Sequence, residues 1–182
     1  MPINDTPIRY GSVSRFLHWG MALLFLWQFT GMILKETIGR TPVTGIFVGS
    51  HSSVGMLLLA LLILRAIWAF VEFGHRPPYH GGIIGKLAAI GHVALYGLML
   101  IVPSIALMRA FGGDKGVKFF GLILKQPGGE KVEWMMAPAN LAHGNLGWIL
   151  LLLIIGHVVM VFVHRWLWKD DVLSRMIGSS PR

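Results

Sequence analysis

The sequence predicts an all-α integral membrane protein, a bundle of four spanning helices. Of 182 residues, 54% are hydrophobic and only 13% charged, whereas a soluble domain carries about a quarter charged residues. Mean hydropathy is +0.66. Four apolar runs each reach the roughly 20 residues that a bilayer demands, and backbone satisfaction in lipid then requires helices. The chain has no cysteine. That excludes disulfides, iron–sulfur ligation and thiol catalysis, and leaves histidine as the strong metal ligand. Residues 1–182 read as a single membrane domain.

The N-terminal segment MPINDTPIRYGSVSR is polar, and an apolar run follows it at once without a small-residue cleavage site. The expectation is a retained first span, not a removed signal peptide. The first run is Phe16 to Leu34, between Arg15 and Lys35, giving a span at about 14–35. The second builds through GIFVGSHSSVG to Val71 and closes at Glu72, giving about 44–72. The turn cluster GHRPPYHGG follows, with His75 and His80 expected in solvent. The third run, Leu87 to Met108, gives a span at about 86–109. Some thirty glycine-rich, mixed residues then form a loop too polar to span. The fourth run starts near Leu141 and gives a span at about 139–168.

Four spans put both termini on one side. With the N-terminus inside, nine Lys or Arg lie inside (Arg9, Arg15, Arg65, Arg76, Lys86, Arg165, Lys169, Arg175, Arg182) and seven outside (Lys35, Arg40, Arg109, Lys115, Lys118, Lys125, Lys131). The excess favours cytoplasmic termini. Trp19, Trp166 and Trp168 suit an interfacial belt on that side. The net charge of +8 belongs to cations flanking spans and meeting anionic lipid. No basic run interleaved with aromatics suggests a nucleic-acid partner.

The histidines form a lattice in depth. His143 and His157 are 14 residues apart in the fourth span. At about 100° per residue they share one face, about 21 Å apart along the axis. His51, near the outer start of the second span, matches the depth of His143, and His18, near the inner start of the first, matches His157. Two axial imidazoles per iron are the ligation of an electron-transferring haem b with no open position. The pattern therefore predicts a bundle enclosing two b-type haems, one per leaflet. A single intramembrane histidine is often interhelical glue, but four residues on three spans must match in pairs here. Arg65, also 14 residues after His51, shares its face at the inner depth. It is open to two readings: a partner for a haem propionate, or a side chain snorkelling to the inner interface. Gly31, 13 residues beyond His18 in the first span, is expected to leave room for the outer macrocycle. His92 is a spare near the inner start of the third span, an alternative ligand, a quinone-site residue or a hydrogen-bonding group. His164, seven residues beyond His157, can touch a quinone headgroup or cap its helix as a cation.

These residues resemble the prokaryotic cytochrome b561 family, small four-span di-haem proteins related to the cytochrome b subunits of formate dehydrogenases and nickel–iron hydrogenases. The likeness runs through RFLHW (15–19), GSHSSVG (49–55), LILR (62–65), GHVALYGLMLIVPSIAL (91–107), FFGLILKQP (119–127), AHGNLGW (142–148) and GHVVMVFVHRWLWKDDVLSRM (156–176). WKDDVLSRM is the most specific string. One position departs: Arg165 follows His164, where relatives can carry a second histidine.

The resemblance implies that His18 and His157 ligate a cytoplasmic-side haem b, and His51 and His143 a periplasmic-side one. Family members include a superoxide oxidase that takes electrons from superoxide outside and reduces ubiquinone near the inner haem. His164, Trp168 and Lys169 would then lie near the quinone. The expectation is a bacterial inner-membrane superoxide:ubiquinone oxidoreductase. The alternative is an electron-transfer subunit linking a periplasmic dehydrogenase or c-type cytochrome, docked on the 109–140 loop, to the quinone pool. Seven outer cations stand against four acids, Glu36, Asp114, Glu130 and Glu133, a surplus that can steer an anion. A non-redox transporter or scaffold would need the histidines to be purely structural.

Overall fold

The computed structural model describes residues 2–78, 81–170 and 172–178. His80 and Arg182, which the sequence places in the turn cluster and among the inner cations, lie outside the described residues. Four long helices carry the fold: α1 (Ser12–Ile38), α2 (Pro42–Val71), α3 (Gly82–Gly112) and α4 (Glu133–Phe162). The last continues as a π-helical turn over Val163–Leu167. All four are long and apolar enough to cross a membrane, and at about 1.5 Å per residue each exceeds the roughly 30 Å hydrocarbon core. Their outward faces are apolar, with Phe70 84% and Leu152 67% exposed, as expected where lipid is the solvent.

Each helix starts before its expected span, at 12, 42, 82 and 133, and at the junction of α1 and α2 capping chemistry accounts for the ends. Gly39, at φ 71°, stops α1. Thr41 and Thr44 then cap α2 reciprocally, side chain to backbone in both directions, with Pro42 opening the helix. Pro103 and Pro138 sit inside α3 and α4, a place that membrane helices tolerate. α1 packs along α2 and α3 along α4, the two hairpins meeting chiefly through α2 and α3. The core is Met21, Val54, Leu58 and Leu62, with Tyr96 and Met99 of α3 against it.

Gly31 packs helix on helix. A Cβ there would overlap Phe47 Cβ, so this glycine lets α1 and α2 approach and does not leave room for a macrocycle.

The polar loop expected after the third span holds structure of its own. Strands β1 (Val117–Phe119) and β2 (Leu122–Lys125) form an antiparallel hairpin. Ser53 of α2 accepts a hydrogen bond from the Phe120 amide at 3.0 Å. Lys125 Nζ donates to the carbonyls of Phe111 (2.6 Å) and Gly113 (2.7 Å), a cation at the negative end of α3. The hairpin is thereby pinned over the ends of α2 and α3.

At the termini end the N-terminal segment folds under the bundle. Asp5, its side chain fully buried, accepts from the Gly11 amide (2.8 Å), Ser14 Oγ (2.9 Å) and Arg76 Nε (3.1 Å). Its own amide donates to buried Glu72 at 3.0 Å. His75 is exposed, 3.7 Å from Glu72, as the turn composition predicts. A short helix α5 (Val172–Ile177) returns to α1: Trp19 Nε1 donates to the Met176 carbonyl at 3.1 Å, and the Tyr10 amide to that of Arg175.

Candidate functional site: paired intramembrane histidines

Four of the sequence-predicted histidines meet in two pairs that bridge the helical hairpins. Near the β-hairpin end, His51 of α2 faces His143 of α4, ring centroids 6.1 Å apart and planes at 82°. Toward the termini end, His18 of α1 faces His157 of α4 at 6.3 Å and 72°. α1 and α4 barely touch along their backbones, so the inner pair faces across an interval between helices.

Those spacings carry chemical information. With metal–imidazole bonds of about 2 Å and about 1.1 Å from ring nitrogen to ring centre, two imidazoles trans on one metal stand about 6.2 Å apart. Both pairs match. His92 of α3 lies 5.3 Å from His157 at 80°, about 0.9 Å too close to share a metal in that way. It is in edge contact with the inner pair, while its Nδ1–H donates to the Ala88 carbonyl at 2.7 Å. Among the described residues no cluster of three or more His, Cys, Asp or Glu could hold a metal ion. The pairs therefore suit a planar macrocycle that brings its own in-plane ligands.

The surrounding hydrogen bonds orient these rings. His143 Nδ1 is 3.1 Å from the Val102 carbonyl. A carbonyl only accepts, so Nδ1 carries the proton and Nε2 is the ligating nitrogen, the usual arrangement for metal-bound histidine. His51 is held differently: Gln28 Nε2 donates to its backbone carbonyl at 3.0 Å, while His51 Nδ1 and Gln28 Oε1 are buried without partners.

Arg65 does not reach for the interface. Its Nε donates to Tyr96 Oη at 2.8 Å, and its Nη1 is buried with no partner. A desolvated guanidinium nitrogen of this kind calls for an anion. Tyr96 has a sequence signal only in hindsight: it stands one turn after His92, on the same face of α3.

The expected quinone residues fall at the end of α4. His164 is buried and lies edge-on to Trp168, centroids 4.7 Å apart at 87°. Its Nδ1 meets both carboxylate oxygens of Asp170, at 2.9 and 2.7 Å, so its partner is a carboxylate and not the helix end. Lys169 is exposed and turns the chain with φ 54°. Asp170 was not singled out by the sequence, because six residues is no helical repeat; a left-handed turn brings it back. At the other end, Lys115, Lys118, Ser50, Ser52, Ser53 and Phe120 are among the residues lining an open cavity of about 570 Å³ between α2 and the β-hairpin, to which His51 contributes only through its chain neighbours Ser50 and Ser52.

A four-span bundle with facing intramembrane imidazoles is the architecture of a membrane cytochrome. The model of the prokaryotic cytochrome b561 family matches residues 9–179, and the chain belongs to that family. It is thus a multi-pass inner-membrane protein of a family that transfers electrons across the membrane through b-type haem. It is similar to cytochrome b561 homolog 2 of Escherichia coli K12, 28% identical over 99% of this chain and 97% of that protein. It is 25% identical to the probable superoxide oxidase CybB of Yersinia pestis, over 93% and 96% of the two chains. Cytochrome b562 of Cereibacter sphaeroides is 28% identical over 92% and 94%. The residues present fit a b-type haem: ring pairs at trans-ligand spacing, an Nδ1-protonated His143, and a buried arginine nitrogen suited to a propionate.

Proposed function

We propose that this chain conducts electrons across the membrane through two bis-histidine haems b, taking them from superoxide on the periplasmic side and delivering them to ubiquinone on the cytoplasmic side. The observation that carries this reading is the pair of ring spacings, 6.1 and 6.3 Å, on one helix at positions 143 and 157. His51 and His143 hold the outer haem, and His18 and His157 the inner. A b-type haem held by these histidines would supply a one-electron iron couple. The protein contributes ligands, orientation and an apolar shell.

Each remaining group has a place in this scheme. Arg65, set by Tyr96, pairs with a propionate of the inner haem. Lys115 and Lys118, at the cavity between α2 and the β-hairpin, draw an anion toward the outer ligand pair. Lys125 is committed to the end of α3, and Lys35 and Lys131 pair with Glu36 and Asp114, which leaves Arg40, Arg109, Lys115 and Lys118 of the outer cations to steer, the last two at that cavity. His164 and Trp168 face the quinone, with Lys169 at the rim. Both termini are cytoplasmic. The resemblance to a probable superoxide oxidase supports superoxide as donor over docking of a dehydrogenase on the 109–140 loop.

The test is quinone reduction by a steady superoxide flux, with and without detergent-purified, haem-loaded protein. Acceleration well above background, falling steeply with ionic strength, is expected. A rate equal to background would leave the electron-transfer-subunit reading in its place.

A further inference from the structure

We propose that Asp170 is a positioning residue that makes His164 the proton-transfer group of the quinone reaction; the inference rests on the reading that seats quinone at His164. His164 follows His157 by seven residues, on nearly the same helix face and about 10 Å closer to the termini end. It therefore stands between the inner ligand pair and the cytoplasmic surface. The side chain is 11% exposed, and both oxygens of Asp170 lie within 2.9 Å of its Nδ1. A carboxylate only accepts, so Nδ1 keeps its proton and the exchangeable position is Nε2.

The backbone is shaped to make this contact. The π turn over Val163–Leu167 closes with the Trp168 amide on the Val163 carbonyl at 3.0 Å. Lys169, a non-glycine residue, then takes a left-handed φ of 54°, a conformation that L residues rarely adopt. Only after that reversal does Asp170 return over His164, its amide on the His164 carbonyl at 3.0 Å and its carboxylate on the ring. One residue thus holds both the backbone and the imidazole of another. Trp168, edge-on at 4.7 Å, walls one side.

The chemistry balances as follows. Reduction of a quinone to a quinol consumes two electrons, delivered through the inner ligand pair, and two protons. At the quinone oxygen facing His164, an O–H bond forms as the Nε2–H bond of the imidazolium breaks. Asp170 offsets the ring's positive charge while it waits for the electron. The ring regains its proton from cytoplasmic water, which also supplies the proton taken up by the second quinone oxygen. With a quinol the same steps run backward: His164 takes the hydroxyl proton as electrons leave.

A purely structural Asp170 would only lock the turn. Asparagine can do that equally well, because its carbonyl accepts the same Nδ1–H, but it brings no charge. The experiment is stopped-flow reduction of the haems of the full-length, haem-loaded protein by decylubiquinol, followed by haem absorbance and so independent of the outer donor. Asp170→Asn is expected to lower the saturating rate about 10- to 100-fold and to raise the solvent deuterium isotope effect. Half-saturating quinol should stay within about twofold, and haem potentials and unfolding midpoint should stay at wild-type values. His164→Gln should lose a similar factor, and the double variant no more than the larger single loss, as for two groups acting as one unit. A wild-type saturating rate in Asp170→Asn, a change in half-saturation alone, or single losses that multiply would each overturn the proposal. If decylubiquinol fails to reduce the wild-type haems, the quinone reading itself falls, an outcome distinct from a silent Asp170.

Discussion

Alanine in place of His143 deletes one ring of the His51–His143 pair and leaves the His18–His157 pair whole. The two pairs share α4 but are separated by about 21 Å of helix rise, well beyond the 7–10 Å within which substitutions usually couple. Haem content should therefore drop from two per chain to one. His157→Ala should do the same, with a different residual spectrum, because the surviving haem is the outer one. Double variants sharpen the argument. His18→Ala with His157→Ala removes both rings of one pair and should still leave one haem. His143→Ala with His157→Ala breaks both pairs and should leave none. His92→Ala should keep both, since its 5.3 Å approach to His157 falls about 0.9 Å short of trans ligation across a metal with bonds of about 2 Å. Haem per protein from pyridine haemochrome absorbance, with reduced-minus-oxidised spectra, reads every case. A same-pair double variant with no haem, or a cross-pair double variant that keeps one, would refute the pairing. A half-loaded His92→Ala would mean that an inner ligand is misassigned.

Arg65→Leu should make the inner haem harder to reduce, since a nearby positive charge favours the reduced iron. At about 10 Å and an effective dielectric constant of 20, a unit charge is worth about 1.7 kcal/mol, or about 70 mV for one electron. Potentiometric titration reads the shift, and a potential unchanged within about 10 mV would mean that this charge does not act on the inner iron. Asp5→Ala strips the acceptor from Arg76 Nε, Ser14 Oγ and the Gly11 amide. With the carboxylate buried and Arg76 only partly exposed, a loss of about 3 kcal/mol is expected, lowering the unfolding midpoint by about 6–12 °C. A change under about 2 °C would show that water replaces the carboxylate at no cost.

The spans were legible because bilayer thickness imposes a run length that composition alone reveals. The depths of His18, His51, His143 and His157 were legible because helical rise and turn convert sequence distance into height and face. Other features depend on how one helix is rotated and shifted against another, and no single-helix periodicity encodes that. Gly31, read as room for a macrocycle, lies 13 residues from His18, about 140° away around the helix, and it meets Phe47 because α2 packs there. His92 has the depth of an inner ligand, but the placement of α3 sets its ring 5.3 Å from His157, in edge contact and short of a trans-ligand spacing. The Arg65–Tyr96 bond needs α2 and α3 in register. The hairpin Val117–Lys125 hides in seven strand residues with no sustained alternation, held by Ser53 of α2 and by Lys125 at the end of its second strand reaching back to α3. Asp170 reaches His164 through a π turn and one left-handed residue, against every regular repeat.

By itself the amino-acid order determined a four-span, histidine-bearing membrane protein and the height of each imidazole, because both follow from local backbone geometry and lipid thickness. Which imidazoles face one another, which cation is left buried beside them and which carboxylate turns back onto His164 were decided only when the helices packed, since lateral neighbours are set by side chains meeting across helices and not by spacing along one.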